Sequence, residues 1–156
     1  MLNFFNKKID KNLYAPVSGH CVSLESVNDP VFSSKMMGDG FAIKPQETII
    51  SAPCDGTISM IFDTKHAFGI KAKDGKEILV HIGIDTVNLK GQGFEAIKSV
   101  NEKVKVGDPV VKVDLALIEK THDSTVMVVV TNGDDASREK RLDQEVESKD
   151  LIMSFK

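Results

Sequence analysis

Ala67-Phe68-Gly69-Ile70-Lys71-Ala72-Lys73-Asp74-Gly75-Lys76-Glu77-Ile78-Leu79-Val80-His81-Ile82 places two apolar, β-branched runs on either side of one Asp-Gly pair. Asp-Gly is the strongest short signal for a β-hairpin turn, because glycine enters the φ > 0 region without a Cβ clash. The stretch reads as two antiparallel strands, Ala67–Lys73 and Lys76–Ile82. A two-residue loop at Asp74-Gly75 pairs Lys73 with Lys76, Ile70 with Leu79 and Phe68 with His81. His66 then stands diagonal to His81 on the same face, ~7–8 Å away at the backbone. A three-residue loop shifts the register by one and predicts the two rings on opposite faces.

A histidine in an apolar strand costs free energy unless its ring nitrogens find partners. Two neighbouring imidazoles also oppose each other's protonation, so at least one stays neutral near pH 7. A neutral ring offers a nitrogen lone pair, which can bind a metal or attack phosphorus.

The rest of the chain carries the same short-strand pattern. Turn signals recur at Ser18-Gly19, Gly38-Asp39-Gly40, Asp55-Gly56, Gly91-Gln92-Gly93, Gly107-Asp108-Pro109 and Asn132-Gly133-Asp134. Short strands between frequent turns predict an all-β antiparallel sandwich or flattened barrel. Ile58, Met60 and Phe62 are expected on one strand face. The one good helix candidate is Leu115–Lys120. Charged Ser137–Asp150 has a helical composition but too few apolar residues to define a face, and otherwise reads as a solvated connection before a last strand at Leu151–Phe155. Ala15-Pro16-Val17-Ser18-Gly19 recurs as Ala52-Pro53-Cys54-Asp55-Gly56, and Val106-Gly107-Asp108-Pro109-Val110 resembles the turn of lipoyl and biotinyl carriers. Together they resemble a duplicated hybrid motif with at most one or two short helices.

At 156 residues the chain reads as a single domain over 1–156, with 1–12 a flexible N-terminal segment. A net charge of −3, with no basic cluster interleaved with aromatics, argues against nucleic acid. Cys21 and Cys54 lack metal-ligand or disulfide spacing and read as reduced thiols of a cytoplasmic protein. No apolar run approaches the roughly 18 residues of a transmembrane helix. The start Met1-Leu2-Asn3-Phe4-Phe5-Asn6-Lys7-Lys8 is too short in its apolar part for a signal peptide and reads as a frayed terminus. The chain as given is expected to be free-standing.

Several stretches resemble the glucose-family enzyme IIA of the bacterial phosphoenolpyruvate:sugar phosphotransferase system: Asp29-Pro30-Val31-Phe32, Lys35-Met36-Met37-Gly38-Asp39-Gly40, Thr64-Lys65-His66-Ala67-Phe68, Val80-His81-Ile82-Gly83-Ile84-Asp85-Thr86-Val87 and Gly91-Gln92-Gly93-Phe94. The resemblance implies that His81 accepts a phosphoryl group from phosphorylated HPr and passes it to a cysteine on the IIB domain of a sugar permease. It implies that His66 steadies the phosphate, held in turn by Thr64, and that Asp29 and Asp85 meet arginines on HPr. Backbone N–H groups around Gly83 are expected to join His66 as phosphate donors. Phe32, Met36, Met37, Phe62, Phe68 and Leu79 match positions of an apolar docking ring, with Phe68 expected at the surface beside His81. The resemblance requires no cofactor. Zinc is implied only at His66 and His81 together, with a carboxylate from a bound partner, and regulated proteins are implied as further partners of the unphosphorylated domain. There is no G-x-x-x-x-G-K-[ST] loop and no kinase signature, so the phosphate donor is expected to be a protein rather than ATP.

Two rival readings use parts of the same sequence. His81-Ile82-Gly83-Ile84-Asp85 spells the H-x-x-x-D of zinc peptidases on a related duplicated fold, but the H-x-H pair those enzymes add is missing, and His20 and His122 stand in unrelated segments. A lipoyl- or biotinyl-type carrier needs a modifiable lysine at a hairpin tip. Lys35-Met36-Met37 comes nearest and lies outside any symmetric hairpin.

Overall fold

The structure, a computed structural model, describes residues 9–133 and 137–155. The Met1–Lys8 terminus and Asp134 of one expected turn lie outside the described residues. Among the described residues fourteen short strands follow one another: β1 (Leu13–Tyr14), β2 (Gly19–Ser23), β3 (Asp39–Pro45), β4 (Ile49–Ser51), β5 (Gly56–Ile61), β6 (Ala67–Ala72) and β7 (Glu77–Ile82). Then come β8 (Phe94–Ala96), β9 (Lys103–Val104), β10 (Pro109–Val113), β11 (Val126–Val130), β12 (Ser137–Lys140), β13 (Gln144–Val146) and β14 (Leu151–Phe155). The α-helices are Pro30–Ser33 and Leu115–Glu119. The expected all-β sandwich with short helices is what forms. The charged stretch 137–150 is not a helix but carries β12 and β13: edge strands need few apolar residues, and Val146 alone of β13 is buried.

All strand pairs are antiparallel. One eight-stranded sheet has the order β13-β2-β3-β11-β7-β6-β5-β9, and two three-stranded sheets have the orders β1-β14-β12 and β4-β10-β8. These orders are symmetric about the β11–β7 seam: β2 answers β5, β3 answers β6 and β13 answers β9. Local hydrogen bonds repeat the relation. Ala15 N–H donates to Asp150 O and Lys149 N–H to Ala15 O; Ala52 N–H donates to Asp108 O and Gly107 N–H to Ala52 O. The two halves clasp each other through Tyr14 N–H to Pro53 O (2.8 Å) and Ser51 N–H to Pro16 O (2.7 Å). The Ala-Pro-x-x-Gly repeat is therefore the hinge of a true duplication, with β4–β10 continuous and the other half split across the chain ends.

Strand alternation sorts the large sheet into two faces. Phe68, Ile70, Ile78, Val80, Ile82, Val126 and Val128 point inward to the main core with Phe41 and Ile43. Ala42, Met127 and Val129 point outward, where Leu24, Val27 and Phe32 roof them in a second apolar cluster. His81 is opposite Met127 in the register and lies on that outer face. The roof begins at Asp29, whose carboxylate accepts the Val31 N–H at 3.0 Å, with Pro30 pre-set for the first helical position.

The register of the central hairpin differs from expectation by one residue. Ala67 pairs with His81, Phe68 with Val80 and Ile70 with Ile78. The loop has three residues, closed by Gly75 N–H to Ala72 O and Ala72 N–H to Lys76 O. Gly75 takes φ +96 as its third residue, the glycine-bulge form of a hairpin. The Asp74 carboxylate accepts the Lys76 N–H at 3.1 Å and also pairs with the Lys76 ammonium, so Asp74 sits in the middle of a loop that starts one residue earlier, at Lys73. A second irregularity, a bulge between Ile58 and Met60, separates side chains expected on one face: Ile58 is buried, while Met60 is 44% exposed.

Candidate functional site

Despite the shifted register, the two imidazoles meet: their centroids are 4.9 Å apart at 80°. The shift alone would have put His66 on the inner face. His66, however, precedes β6 and sits in the tight connection from β5. There Phe62 N–H donates to Ala67 O, Lys65 N–H donates to Phe62 O, and Lys65 takes φ 60. Bent backbone frees the ring from strand alternation, and it turns onto the outer face. Its carbonyl still accepts the Ile82 N–H at 2.7 Å, which anchors the bend to β7.

Each ring is held through Nδ1. The His81 Nδ1 lies 2.8 Å from the Gly83 carbonyl, which can only accept; Nδ1 therefore carries the proton and the Nε2 lone pair is left for chemistry. The His66 Nδ1 lies 2.6 Å from the Thr64 hydroxyl. With that hydroxyl donating, Nε2 of His66 carries the proton and can donate to an oxygen held between the rings. Burial pushes the His81 ring down from 6.5 to about 4, assisted by His66, while the Gly83 carbonyl, Asp29 and Asp85 oppose the shift. Burial also lowers His66. Both rings are neutral at pH 7. Phe32 lies tilted at 55° with its ring centre 5.0 Å from that of His81, and Phe62 meets His66 edge-on at 5.2 Å, giving the pair an apolar collar.

The turn after β7 positions the lone pair. Gly83 takes φ +82, and a Cβ there would meet Thr86 Cγ2 at 2.4 Å and Asp123 O at 3.0 Å. Gly83 N–H donates to Thr125 O and Ile84 N–H to Asp123 O. Gly83 thus contributes its carbonyl to His81; the expectation of its N–H as a phosphate donor fails because that group is already committed to Thr125. Buried Thr86, which sequence reading passed over, donates its hydroxyl to Ile82 O at 2.5 Å and locks the turn. Its signal was present in the Gly-x-Asp-Thr run, where a small polar residue follows a left-handed Asp85 at φ 58.

The family model described as phosphoenolpyruvate-dependent sugar phosphotransferase system, EIIA 1, matches residues 11–136. The glucose-specific EIIA component of Staphylococcus epidermidis is 45% identical over 131 residues, 82% of this chain and 79% of that protein. This chain belongs to the EIIA 1 family. A glucoside-specific EIICBA component of Staphylococcus carnosus is 48% identical over 128 residues, 81% of this chain and 18% of that longer protein. The solved glucose permease IIA of Mycoplasma capricolum superposes with a TM-score of 0.85 at 39% identity, covering 96% of this chain and 97% of that one.

Around the paired rings, this EIIA chain distributes the expected docking residues unevenly. Met36 is 80% exposed and Phe62 37% exposed, and Met37 packs half-buried against the roof cluster. Phe68 is buried in the main core, contrary to expectation, because it pairs with Val80 rather than His81. Phe32 and Leu79 are also buried, Phe32 against the His81 ring and Leu79 two residues before it in β7, rather than on an exposed rim. Val31 and Val87, not singled out from sequence, are the exposed apolar side chains next to Phe32 and Asp85. Asp85 is exposed; Asp29 is half-buried and caps the roof helix, and both carboxylates act on the charge of His81. His20 pairs with Glu145 and His122 with Thr121, remote in bonding from the site. No group of three His, Cys, Asp or Glu that could hold a metal exists among the described residues, so the H-x-x-x-D stretch does not assemble the ligand set of a zinc hydrolase.

Proposed function

We propose that the chain is a cytoplasmic phosphocarrier in which His81 Nε2 takes a phosphoryl group from phosphorylated HPr and yields it to the IIB domain of a sugar permease. The carrying observation is the His81 Nδ1 bond to Gly83 O, which leaves Nε2 as a neutral nucleophile beside a second ring that can donate. In acceptance, Nε2 forms a bond to phosphorus as the bond from phosphorus to the donor breaks, and the proton stays on Nδ1, donated to the Gly83 carbonyl. The His66 Nε2–H donates to a phosphoryl oxygen in both directions of transfer. Such transfers need positioning and charge stabilisation more than covalent help, which suits a site of two rings and no titrating nucleophile. The apolar collar of Phe32 and Phe62 limits water at the phosphoimidazole.

Fusion of a similar EIIA segment within an EIICBA protein supports the IIB domain as acceptor. Asp29 and Asp85 suit a basic donor surface, and the exposed Val31, Met36, Phe62 and Val87 suit apolar docking. Zinc needs about four ligands, and the pair supplies two, so zinc would be held only when a partner brings a carboxylate.

Incubation with phosphoenolpyruvate, enzyme I and HPr tests the reading. Acid-labile label appears on the wild type and is absent from His81→Ala; His66→Ala takes label but does not pass it on. Label persisting on His81→Ala would overturn the assignment.

A further inference from the structure

The duplication supplies an internal comparison for one feature that phosphoryl transfer does not use. At the β5–β9 edge of the large sheet, a cavity of about 500 Å³ is ringed by Lys71, Lys73, Lys103 and Lys105, with Thr57 on its wall. All four lysines are exposed, and none forms an ion pair among the described residues. Glu77 is opposite Lys71 across β6–β7 but stays outside ion-pair distance. The one carboxylate lining the cavity, Asp108, is taken by the Lys105 N–H at 2.9 Å.

The same backbone occurs at the opposite edge. Gly19 pairs with Val146 as Gly56 pairs with Val104, and His20 pairs with Glu145 as Thr57 pairs with Lys103. Asp150 accepts the Glu147 N–H at 2.8 Å, as Asp108 accepts that of Lys105. Ser148 N–H donates to the Ser18 side chain, as Val106 N–H donates to that of Asp55. Lys103 and Lys105 therefore correspond to Glu145 and Glu147. Lys73 corresponds to Gln46 and Lys71 to Lys44. The acidic twin is internally satisfied, since Glu145 takes both His20 and Gln46. The basic member has the same frame and the opposite charge, with four lysines set against the single carboxylate of Asp108.

We propose that the Lys71–Lys73–Lys103–Lys105 groove is a binding site for a small phosphate-bearing polyanion. A cavity of this volume is in the range of small-ligand sites, whereas a flat lysine patch would suit a surface or a long chain. Four lysines lining one cavity select two or more negative charges, each worth more in a concave site than on open surface. The groove shares the outer face with His81 and lies four strand residues along β6 from Ala67, roughly 13 Å away at 3.3 Å per residue. It goes beyond the phosphocarrier reading and does not depend on it.

The test is an amide-resonance titration of the full chain with inorganic pyrophosphate and with a hexose bisphosphate, each at constant ionic strength. The proposal expects saturable shifts centred on Gly56, Thr57, Ala72 and Lys103–Lys105 with at least one ligand. Lys103→Glu with Lys105→Glu, residues the twin edge already tolerates, weakens that binding about tenfold or more. Lys11→Glu with Lys120→Glu, of equal net charge and outside the groove, leaves it unchanged. Equal weakening by both double variants, shifts centred on His66 and His81, or no saturation with either ligand would each overturn it. Saturation by an acidic peptide alone would also overturn it, pointing to a protein partner.

Discussion

His81 is asked to be both largely desolvated and reactive from a half-buried position, and its ring charge records the conflict. Burial and the neighbouring His66 bring it down to about 4 from 6.5, and burial lowers His66 as well. Each ring binds a proton more weakly in the folded protein than in the unfolded chain. On acidification the unfolded chain takes up protons first. This part of the stability is therefore fully present above pH 6.5 and is lost as pH falls from there through about 4. For His81 it is on the order of 2–3 kcal/mol. Urea unfolding followed from pH 7.5 to 4.5 should show a steep acid loss in the wild type and a shallower one in His81→Gln. Equal slopes would contradict the assigned burial. The two histidines of the site were legible in sequence because chemistry restricts them, one in an apolar strand and a second nearby, whereas Thr64 was marked only by the family resemblance. The Gly83 carbonyl and the Thr86 hydroxyl were not, because backbone acceptors and turn locks carry no residue-type signature.

The β6–β7 hairpin shows how an element can be found and still be misaligned. Apolar alternation located both strands, but the register depends on one turn residue. Asp74 binds the Lys76 N–H and ammonium, and Lys76 lies 4.4 Å over the Phe155 ring in a nearly closed site. Nothing in Asp-Gly alone distinguishes the two-residue turn from the three-residue bulge; the packing of Lys76 under the last strand does. The site survived the shift because His66 lies outside the ladder. At this scale, Asp74→Ala should cost about 3–5 kcal/mol, since it leaves a buried ammonium without its partner. Asp74→Ala with Lys76→Met should recover most of that loss, as measured by urea unfolding. A double variant as weak as the single would mean that the turn, not the ion pair, carries the energy. Stretch 137–150 carries no strand signal for a related reason: its strands are edges, whose partners, not their own composition, make them β.

At the scale of the molecule, two halves of one motif face each other across the β11–β7 seam, and their hinges touch. Gly107 at φ +88 and Lys149 at φ 77 occupy equivalent positions, and a Cβ on Gly107 would meet Lys149 Cε at 2.2 Å. Gly107→Ala should destabilise by about 1–3 kcal/mol through both the strained backbone and that clash. Gly107→Ala with Lys149→Gly should recover the clash but not the backbone part, giving a coupling of about 1 kcal/mol in a thermal-unfolding cycle. Strict additivity would deny the contact. The duplication was visible in sequence only at the Ala-Pro-x-x-Gly repeat. Beyond it, the halves have diverged to opposite charge, Lys103 against Glu145, and only shared hydrogen bonds preserve the relation.

The central claim is that His81 carries phosphorus on Nε2 while Nδ1 keeps its proton for Gly83. Nitrogen-15 imidazole NMR of the protein phosphorylated through HPr reads this directly. The account predicts nitrogen–phosphorus coupling at His81 Nε2, a retained Nδ1 proton, and a His66 ring still neutral with its proton on Nε2. Coupling at His81 Nδ1, or at either nitrogen of His66, would contradict it.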